Sequence, residues 1–189
     1  MTLPKSIRPV FFFTLGYVAL FALFAAVTSN IEFLFYVLIV IVVFMLLLRY
    51  HESFNLSRST LWLLSVWGLM HMLGGTLPIN GSVLYNLWLI PNIFKYDQLV
   101  HLYGFAAATI LCYELIAPMI TVARKGRFLF LLVMMGLGLG ALNEIIEFVA
   151  VLSIPETNVG GYENTAWDLV FDLFGAVLAA AYIAKKKLV

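Results

Sequence analysis

The sequence predicts an all-α, polytopic integral membrane protein: six transmembrane helices in one bundle, both termini on the cytoplasmic side. Of its 189 residues, 63% are hydrophobic and 11% are charged, and the mean hydropathy is +1.03. This composition excludes an ordinary soluble domain. Six apolar stretches also approach the length of about 20 residues that a helix needs to cross a hydrocarbon core of ~30 Å. We expect one transmembrane domain over residues 1–189.

The apolar stretches follow one another with short connections. They cover approximately residues 10–28, 31–48, 59–79, 97–120, 128–152 and 166–184. Between the third and fourth stretches, residues 80–96 are rich in Leu, Trp and Tyr but are interrupted by Gly81 and Pro91. Because this segment is too short to span a bilayer, it is predicted to lie at the membrane interface.

The distribution of Lys and Arg predicts the orientation, because positive residues favour the cytoplasmic side. Of the eleven such residues, Lys95 is the one at the outer ends of the stretches. The other ten are Lys5, Arg8, Arg49, Arg58, Arg124, Lys125, Arg127, Lys185, Lys186 and Lys187. Both termini are therefore expected inside, in a bacterial or archaeal cytoplasmic membrane.

Helices three to six carry titratable side chains that the orientation places at one depth, in the outer third of the membrane. In chain order they are His71, Asp97, His101, Glu144, Glu147, Asp168 and Asp172. The pairs on helices four, five and six are three or four residues apart, so each pair shares one helix face. Because such groups are costly in hydrocarbon, we expect a functional site where these faces meet.

Charge balance narrows the chemistry of this site. Five carboxylates share the outer half with Lys95 and with two histidines that are neutral by default near pH 7. Either several carboxylates hold protons, or a metal cation supplies the missing positive charge. Mixed carboxylate and imidazole ligands suit Mn, Fe or Zn, whereas a carboxylate set suits Mg or Ca. The predicted ligands of a divalent metal are His71, His101, Glu144, Asp168 and Asp172.

Two further acids complete the predicted site, and simpler roles stay open for several residues. Glu147 is the candidate general base, and Asp97 either orients His101 or joins the ligands. Asp97 could instead cap its helix, and the segment 165–168 resembles a capping box with Asp in place of Glu. His71 could be a hydrogen-bonded core histidine.

Other residues of the helices have structural interpretations. Gly136 and Gly140 form a small-xxx-small pair, which predicts close packing of a neighbouring helix. Glu32 is expected to be an interfacial cap, and Glu114 is expected to be peripheral. The glycine-rich faces leave a homodimer open.

Three motifs carry a resemblance to a known family. They are Asp97-x-x-x-His101-x-x-Gly104, Asn143-Glu144-Ile145-Ile146-Glu147-Phe148 and Trp167-Asp168-x-x-x-Asp172-x-x-Gly175-Ala176. Over about residues 71–180 their order and spacing resemble the YjdF-type bacterial inner-membrane family, whose function is undefined, and more distantly the VanZ-like proteins. The resemblance implies a small multi-helix membrane protein, with the VanZ relatives associated with glycopeptide resistance at the cell envelope. VanZ-like members tend to carry Gln at position 147 and Asn at position 172, so this site is more acidic, which favours metal binding.

These features predict a metal-dependent membrane hydrolase or transferase that acts on a lipid or lipid-linked envelope headgroup. A proton-coupled or cation-coupled transporter or channel is the alternative, since intramembrane carboxylates commonly mark ion pathways. Against it, the cytoplasmic half of the helices offers Glu114, Cys112 and otherwise small or apolar residues. An accessory envelope protein is a third class. The expected partners are membrane lipids and a lipid-linked substrate, and no nucleic acid.

Overall fold

The computed structural model describes residues 5–119 and 125–186, so Ile120, Arg124 and Lys187 of the predictions above lie outside it. All six predicted helices are present, which confirms the all-α class of membrane protein. Their bounds are α1 Arg8–Val27, α2 Ile31–Tyr50, α3 Arg58–Thr76, α4 Tyr96–Ile116, α5 Lys125–Ser153 and α6 Tyr162–Lys185. A short 3-10 helix, Ala117–Met119, extends α4.

Five of these helices, α1, α2, α4, α5 and α6, are long and apolar enough to cross a membrane. The helix α3 has 19 residues and includes Arg58, Ser65, His71 and three glycines, which lower its hydropathy. It ends at Thr76 instead of residue 79, because Leu77 adopts an extended backbone and Pro78 follows it. The third span and the orientation of the bundle stay predictions.

The segment that connects α3 to α4 contains two short antiparallel β-hairpins, which the sequence analysis did not predict. In the first, β1 (Pro78–Ile79) pairs with β2 (Ser82–Val83). The turn residues Asn80 and Gly81 have φ values of 50° and 78°. A type I′ turn requires positive φ at both central positions, and Asn-Gly is its preferred sequence.

The second hairpin completes this connection. It pairs β3 (Trp88–Ile90) with β4 (Phe94–Lys95), and a 3-10 helix, Leu84–Asn86, lies between the two hairpins. Residues 77–95 are therefore ordered by backbone pairing, while their depth in the membrane stays a prediction. We call the end of the bundle that contains the connections 28–30, 77–95 and 154–161 the hairpin end. The opposite end, with the connection 51–57 and the 3-10 helix Ala117–Met119, is the basic end.

At the hairpin end, a buried carboxylate joins α2 to the connection between α5 and α6. The backbone N–H of Asn158 donates to both oxygens of Glu32, at 3.1 and 3.0 Å, and the Asn158 side chain donates to Oε2 at 3.2 Å. The cap of α2 is Asn30, whose side chain accepts from the Phe33 N–H at 3.0 Å. Glu32 is therefore a tertiary link instead of the expected cap.

At the basic end, Glu114 of α4 has an equivalent role. Its Oε2 accepts from the Ser57 N–H at 2.9 Å, and its Oε1 accepts from the Thr60 hydroxyl at 2.8 Å. These bonds satisfy donors at the start of α3, where helix N–H groups have no intrahelical acceptor. Glu114 is therefore not the peripheral residue that the sequence suggested, because it attaches α3 to α4.

The helix α4 packs against α3, α5 and α6, and its most extensive contact is with α6. A Cβ atom at Gly175 of α6 would overlap the backbone carbonyl of Leu102 in α4. A Cβ atom at Gly104 of α4 would overlap the indole of Trp67 in α3. Small residues therefore allow the close approach that brings the polar faces of these helices together.

The Glu32 link is expected to stabilise the fold. Glu32→Ala removes the buried acceptor of the Asn158 N–H, and hydrogen bonds to charged groups contribute about 1.5–3 kcal/mol each. We expect the variant to lose about that amount of stability, measured by thermal melting in detergent. Glu156→Ala, at an exposed acid of the same connection, is the matched control and should melt like the wild type. Equal melting of the two variants would contradict the assignment.

Candidate functional site

The imidazole of His101 lies at the centre of the polar faces of α4, α5 and α6. It is buried, and its Nδ1 atom lies 2.9 Å from Oδ1 of Asp172 on α6. An ionised carboxylate only accepts hydrogen bonds, so this contact assigns a proton to Nδ1 of His101. With this proton on Nδ1, a neutral His101 has its lone pair on Nε2.

Two carboxylates face the Nε2 side of His101. The Oδ1 atoms of Asp97 and Asp168 each lie 3.9 Å from Nε2. The side-chain amide of Asn164 donates to Oδ2 of Asp97 at 3.1 Å and also to Oδ2 of Asp168. One amide therefore holds the Oδ2 atom of each acid, while the Oδ1 atoms are directed at the histidine.

A glutamate lies on the Nδ1 side of the same ring. Oε1 of Glu144 lies 3.9 Å from Nδ1 of His101. Next to it, the amide of Asn143 donates to Oε1 of Glu147 at 2.9 Å. Two buried oxygens, Oε2 of Glu144 and Oδ2 of Asp172, have no hydrogen-bond partner within the described ranges. Burial of an unsatisfied carboxylate oxygen is costly, so these two atoms require a proton or a cation.

The glycines of α5 make room for this cluster. A Cβ atom at Gly140 would overlap the carboxylate of Asp172, and a Cβ atom at Gly136 would overlap the hydroxyl of Thr109 and press on Ala176. The predicted small-residue pair is therefore at a close contact, and one of its members faces a carboxylate of the site. By contrast, nothing lies within 4 Å of a Cβ atom built at Gly138.

The capping interpretations do not describe Asp97 and Asp168. The residue at the N-cap of α4 is Lys95, whose N–H donates to the Gln98 side chain at 2.9 Å. The N-cap of α6 is Gly161, so Thr165 and Asp168 lie inside the helix. Both aspartates instead have their Oδ1 atoms 3.9 Å from Nε2 of His101.

His71 lies apart from this cluster. Its Nδ1 atom contacts the hydroxyl of Tyr85, which also donates to the His71 carbonyl at 3.0 Å, and its ring lies edge-on to Tyr36 at 5.1 Å between centroids. Burial raises the pKa of the Tyr85 phenol well above its usual value, so the hydroxyl keeps its proton and donates. The structure thus gives His71 the geometry of a hydrogen-bonded core histidine, and we leave it out of the ligand set proposed below.

Asn164 is the residue of the cluster that sequence reasoning missed. Its signal was the four-residue spacing to Asp168 on one face of α6, which predicts a side-chain contact. A search of the sequence for titratable groups does not select Asn164, because its side-chain amide carries no charge. Asn143, quoted above within a motif, has the same relation to Glu147 on α5.

The cluster is strongly acidic. Within residues 5–119 and 125–186, its four ion-pair contacts below 4.0 Å involve the His101 ring instead of a Lys or Arg. The ammonium of Lys95 lies 5.0 Å from the centroid of the Trp88 ring, in a cation–π arrangement. Among the described residues, the folded site therefore lacks a balancing positive charge, as the sequence suggested.

Two groups of side chains have ligand atoms within 4.8 Å of one another: Asp97, His101 and Asp168, and His101, Glu144 and Glu147. Metal ligands bonded at 2.0–2.2 Å lie at most about 4.4 Å apart. The distances of 3.9 Å from Nε2 to both aspartates satisfy this limit. In the second group the nitrogen that faces Glu144 is Nδ1, which already contacts Asp172. The first group therefore fits one ion better.

The fold and the site define a membrane protein with several apolar helices and a buried carboxylate–imidazole cluster. The chain belongs to the family described as "Predicted membrane protein (DUF2238)", which matches residues 9–187. This family, of unknown function, agrees with the YjdF-type resemblance, while the VanZ-like resemblance and the particular membrane stay predictions.

A relative from Thermotoga maritima, described as "Uncharacterized protein", is 30% identical over 104 residues. The match covers 51% of this chain and 51% of the relative, so it spans about half the length of each. No solved structure matches the chain.

Alanine substitutions at Gly140 and at Gly138, both on α5, should change the stability of the protein in opposite directions. Gly140→Ala places a methyl group against Asp172, and overpacking of this kind costs about 1–3 kcal/mol. Gly138→Ala meets open space, so the gain in helix propensity should stabilise the protein by up to about 1 kcal/mol. Melting temperatures in detergent should therefore move in opposite directions. A Gly140→Ala variant as stable as Gly138→Ala would contradict the described packing.

Proposed function

We propose that Asp97, His101 and Asp168 bind a divalent metal ion and that the protein is a metal-dependent membrane enzyme. The observation that carries this proposal is the arrangement around His101, in which Nδ1 contacts a carboxylate and Nε2 faces two others. Metal-binding histidines usually donate their second N–H to a carboxylate or carbonyl, which fixes the tautomer and the ring orientation. The contact of 2.9 Å with Asp172 has this form.

This geometry favours roles for Asp172 and Asp97 that differ from those predicted from the sequence. Asp172, predicted there as a ligand, becomes the carboxylate that orients His101. Asp97, predicted there to orient His101 or to join the ligands, becomes a ligand. Glu144 stays close enough to hold a second cation or a proton, since its Oε2 is buried without a partner among the described residues.

The donor set favours a transition metal. Two carboxylates and one imidazole are typical ligands of Mn, Fe or Zn, whereas Mg and Ca prefer sets of oxygen ligands. Three protein ligands also leave coordination positions for water or substrate, as in catalytic sites. Such an ion would polarise a phosphoryl or glycosyl oxygen or activate a water molecule.

Glu147 is the candidate general base. It is partly exposed, and Asn143 holds its Oε1 atom at 2.9 Å. Its ligand atom lies within 4.8 Å of those of His101 and Glu144, and from there it would accept a proton from water at the ion through one intervening water molecule. We assign it this role because it belongs to the cluster without being part of the preferred ligand set.

The location of the site at the hairpin end suggests the substrate. If this end faces outward, as the Lys and Arg distribution predicts, the cluster lies near the headgroups of the outer leaflet. A lipid or lipid-linked headgroup of the envelope is therefore the substrate class, and hydrolysis or group transfer is the reaction class. Apolar helices surround the site, which favours a substrate from the membrane over a soluble one.

A transporter is supported less well by the described residues. Below His101 on α4, Cys112 packs in an apolar cluster with Phe128, Leu132 and Ile183. Both oxygens of Glu114 are bonded to the start of α3. An ion relay needs polar steps through the whole bilayer, and these two residues do not supply them.

Metal analysis tests the ligand assignment. Equilibrium dialysis of the purified protein against Mn²⁺ or Zn²⁺, with elemental analysis, should show bound metal that Asp97→Asn, His101→Ala and Asp168→Asn abolish. Asp172→Asn should weaken affinity by about 10–100-fold, as expected for a residue that orients a ligand. Glu163→Gln, an exposed acid of α6, is the control and should bind like the wild type. Wild-type protein that binds no metal would overturn the proposal.

Turnover tests the role of Glu147. Metal-loaded protein is incubated with vesicles of total polar lipid extract, and products are identified by mass spectrometry. Glu147→Gln should keep its metal and slow product formation by about 10²–10⁴-fold, the usual contribution of a general base. Glu156→Gln serves as the control. Unchanged turnover in Glu147→Gln would reject the base, and loss of metal together with turnover would make Glu147 a ligand.

A further inference from the structure

A cavity of about 160 Å³ lies between α1, α2 and α3, and residues of α5 close one end of it. This end contains Tyr36, His71 and Asn143, beside the carboxylate cluster. The other end contains Ile7 and Leu48, at the basic end of the bundle. The cavity thus runs along the helices from the polar site towards the opposite side of the membrane.

The wall between these ends is apolar. Among its hydroxyls, those of Thr14 and Ser65 bond to each other at 2.6 Å, Thr14 also donates to the Val10 carbonyl at 2.8 Å, and the hydroxyl of Tyr17 lies beside them. The remaining lining of the middle is formed largely by aliphatic and aromatic side chains of α2 and α3. An occupant would therefore meet hydrocarbon along most of its length.

The dimensions favour one hydrocarbon chain. Tyr36 and Leu48 are twelve residues apart on α2, which corresponds to about 18 Å along the axis. Spread over that length, the volume of about 160 Å³ makes the cavity a narrow slot. A helix with its side chains is about 10–12 Å wide, which is too wide for a slot of this volume and length.

The cavity also borders the surrounding lipid. Val43 of α2 lines it and yet is 49% exposed, so the wall at this position separates the cavity from the lipid by one side chain at most. At the polar end, Asn143 lines the cavity and donates to Glu147 at 2.9 Å. One residue therefore belongs to both the cavity and the cluster.

We propose that the cavity binds one hydrocarbon chain of a lipid, with the headgroup of that lipid at the carboxylate cluster. The headgroup position rests on the proposed function above, whereas the chain position rests on the cavity. The substrate class is then a lipid that presents a single chain to the protein, with its chain end near Ile7 and Leu48.

Photolabelling in nanodiscs with the full-length protein tests this placement. The probes are two lysophosphatidylglycerols, one with a diazirine at the end of the acyl chain and one with the diazirine next to the carbonyl. The first should label residues at the basic end of the cavity, such as Leu47 and Leu61. The second should label the end with Tyr36 and His71. Excess unlabelled lysophosphatidylglycerol should abolish both patterns.

Two variants of α2 provide a matched pair. Val40 lines the cavity, so Val40→Phe should reduce saturable labelling by about tenfold or more, because the larger ring occupies the space of the chain. Val42 is 50% exposed and does not line the cavity, so Val42→Phe should label like the wild type. Melting temperatures verify folding. If Val40→Phe is unstable, the positions that the two probes label in the wild type, and their loss with excess unlabelled lipid, test the same cavity.

Several results would overturn the proposal. Unsaturable labelling that is equally strong at lipid-facing positions such as Leu20 and Val177 would show bulk lipid contact. A reversed pattern would place the headgroup at the basic end. A dimer with no bound lipid in native mass spectrometry would make a second copy the occupant. Saturable labelling that survives in Asp168→Asn would support the cavity independently of the metal, and metal binding without saturable labelling would reject the cavity alone.

Discussion

The hydrogen bond between His101 and Asp172 joins α4 to α6 at the point where five carboxylates meet. In an apolar interior such a contact requires that the helices come close and stay in register. Gly175 allows the backbone of α4 to approach α6, and Gly140 leaves the space that the Asp172 carboxylate occupies. The tight packing of these helices and the geometry of the polar cluster therefore depend on each other. A larger residue at Gly175 or Gly140 would move the Asp172 carboxylate away from His101.

The acids of the helices differ in how their oxygens are satisfied. Glu32 and Glu114 accept hydrogen bonds from donors that are distant in the sequence, and each links elements at one end of the bundle. Glu144 and Asp172 each retain a buried oxygen without a partner among the described residues. Because buried polar groups are usually hydrogen-bonded, this difference distinguishes Glu144 and Asp172 of the candidate site from the two linking acids.

The cluster and the neighbouring cavity complement each other chemically. One is polar and lies towards the hairpin end, and the other is a narrow apolar slot that begins at Asn143 and extends towards the basic end. A lipid combines the same two properties in one molecule. This pairing is the reason that we propose a lipid substrate over a soluble one; its headgroup would lie beside His101, Asp168 and Glu147.

The sequence by itself determined the membrane class, the six helices and the pairing of acids on shared faces, because these depend on hydropathy and on the period of the helix. It also contained the Asn80-Gly81 signal of the first hairpin, which an analysis centred on apolar length passed over. The tertiary structure decided which side chains meet: it directs His71 to Tyr85, brings Asn164 between Asp97 and Asp168, and points Asp172 at Nδ1 of His101. Helical period fixes the direction of a residue within its own helix. The rotation and separation of neighbouring helices depend on the packing of glycines and large side chains between them, and this determines the distances at the site.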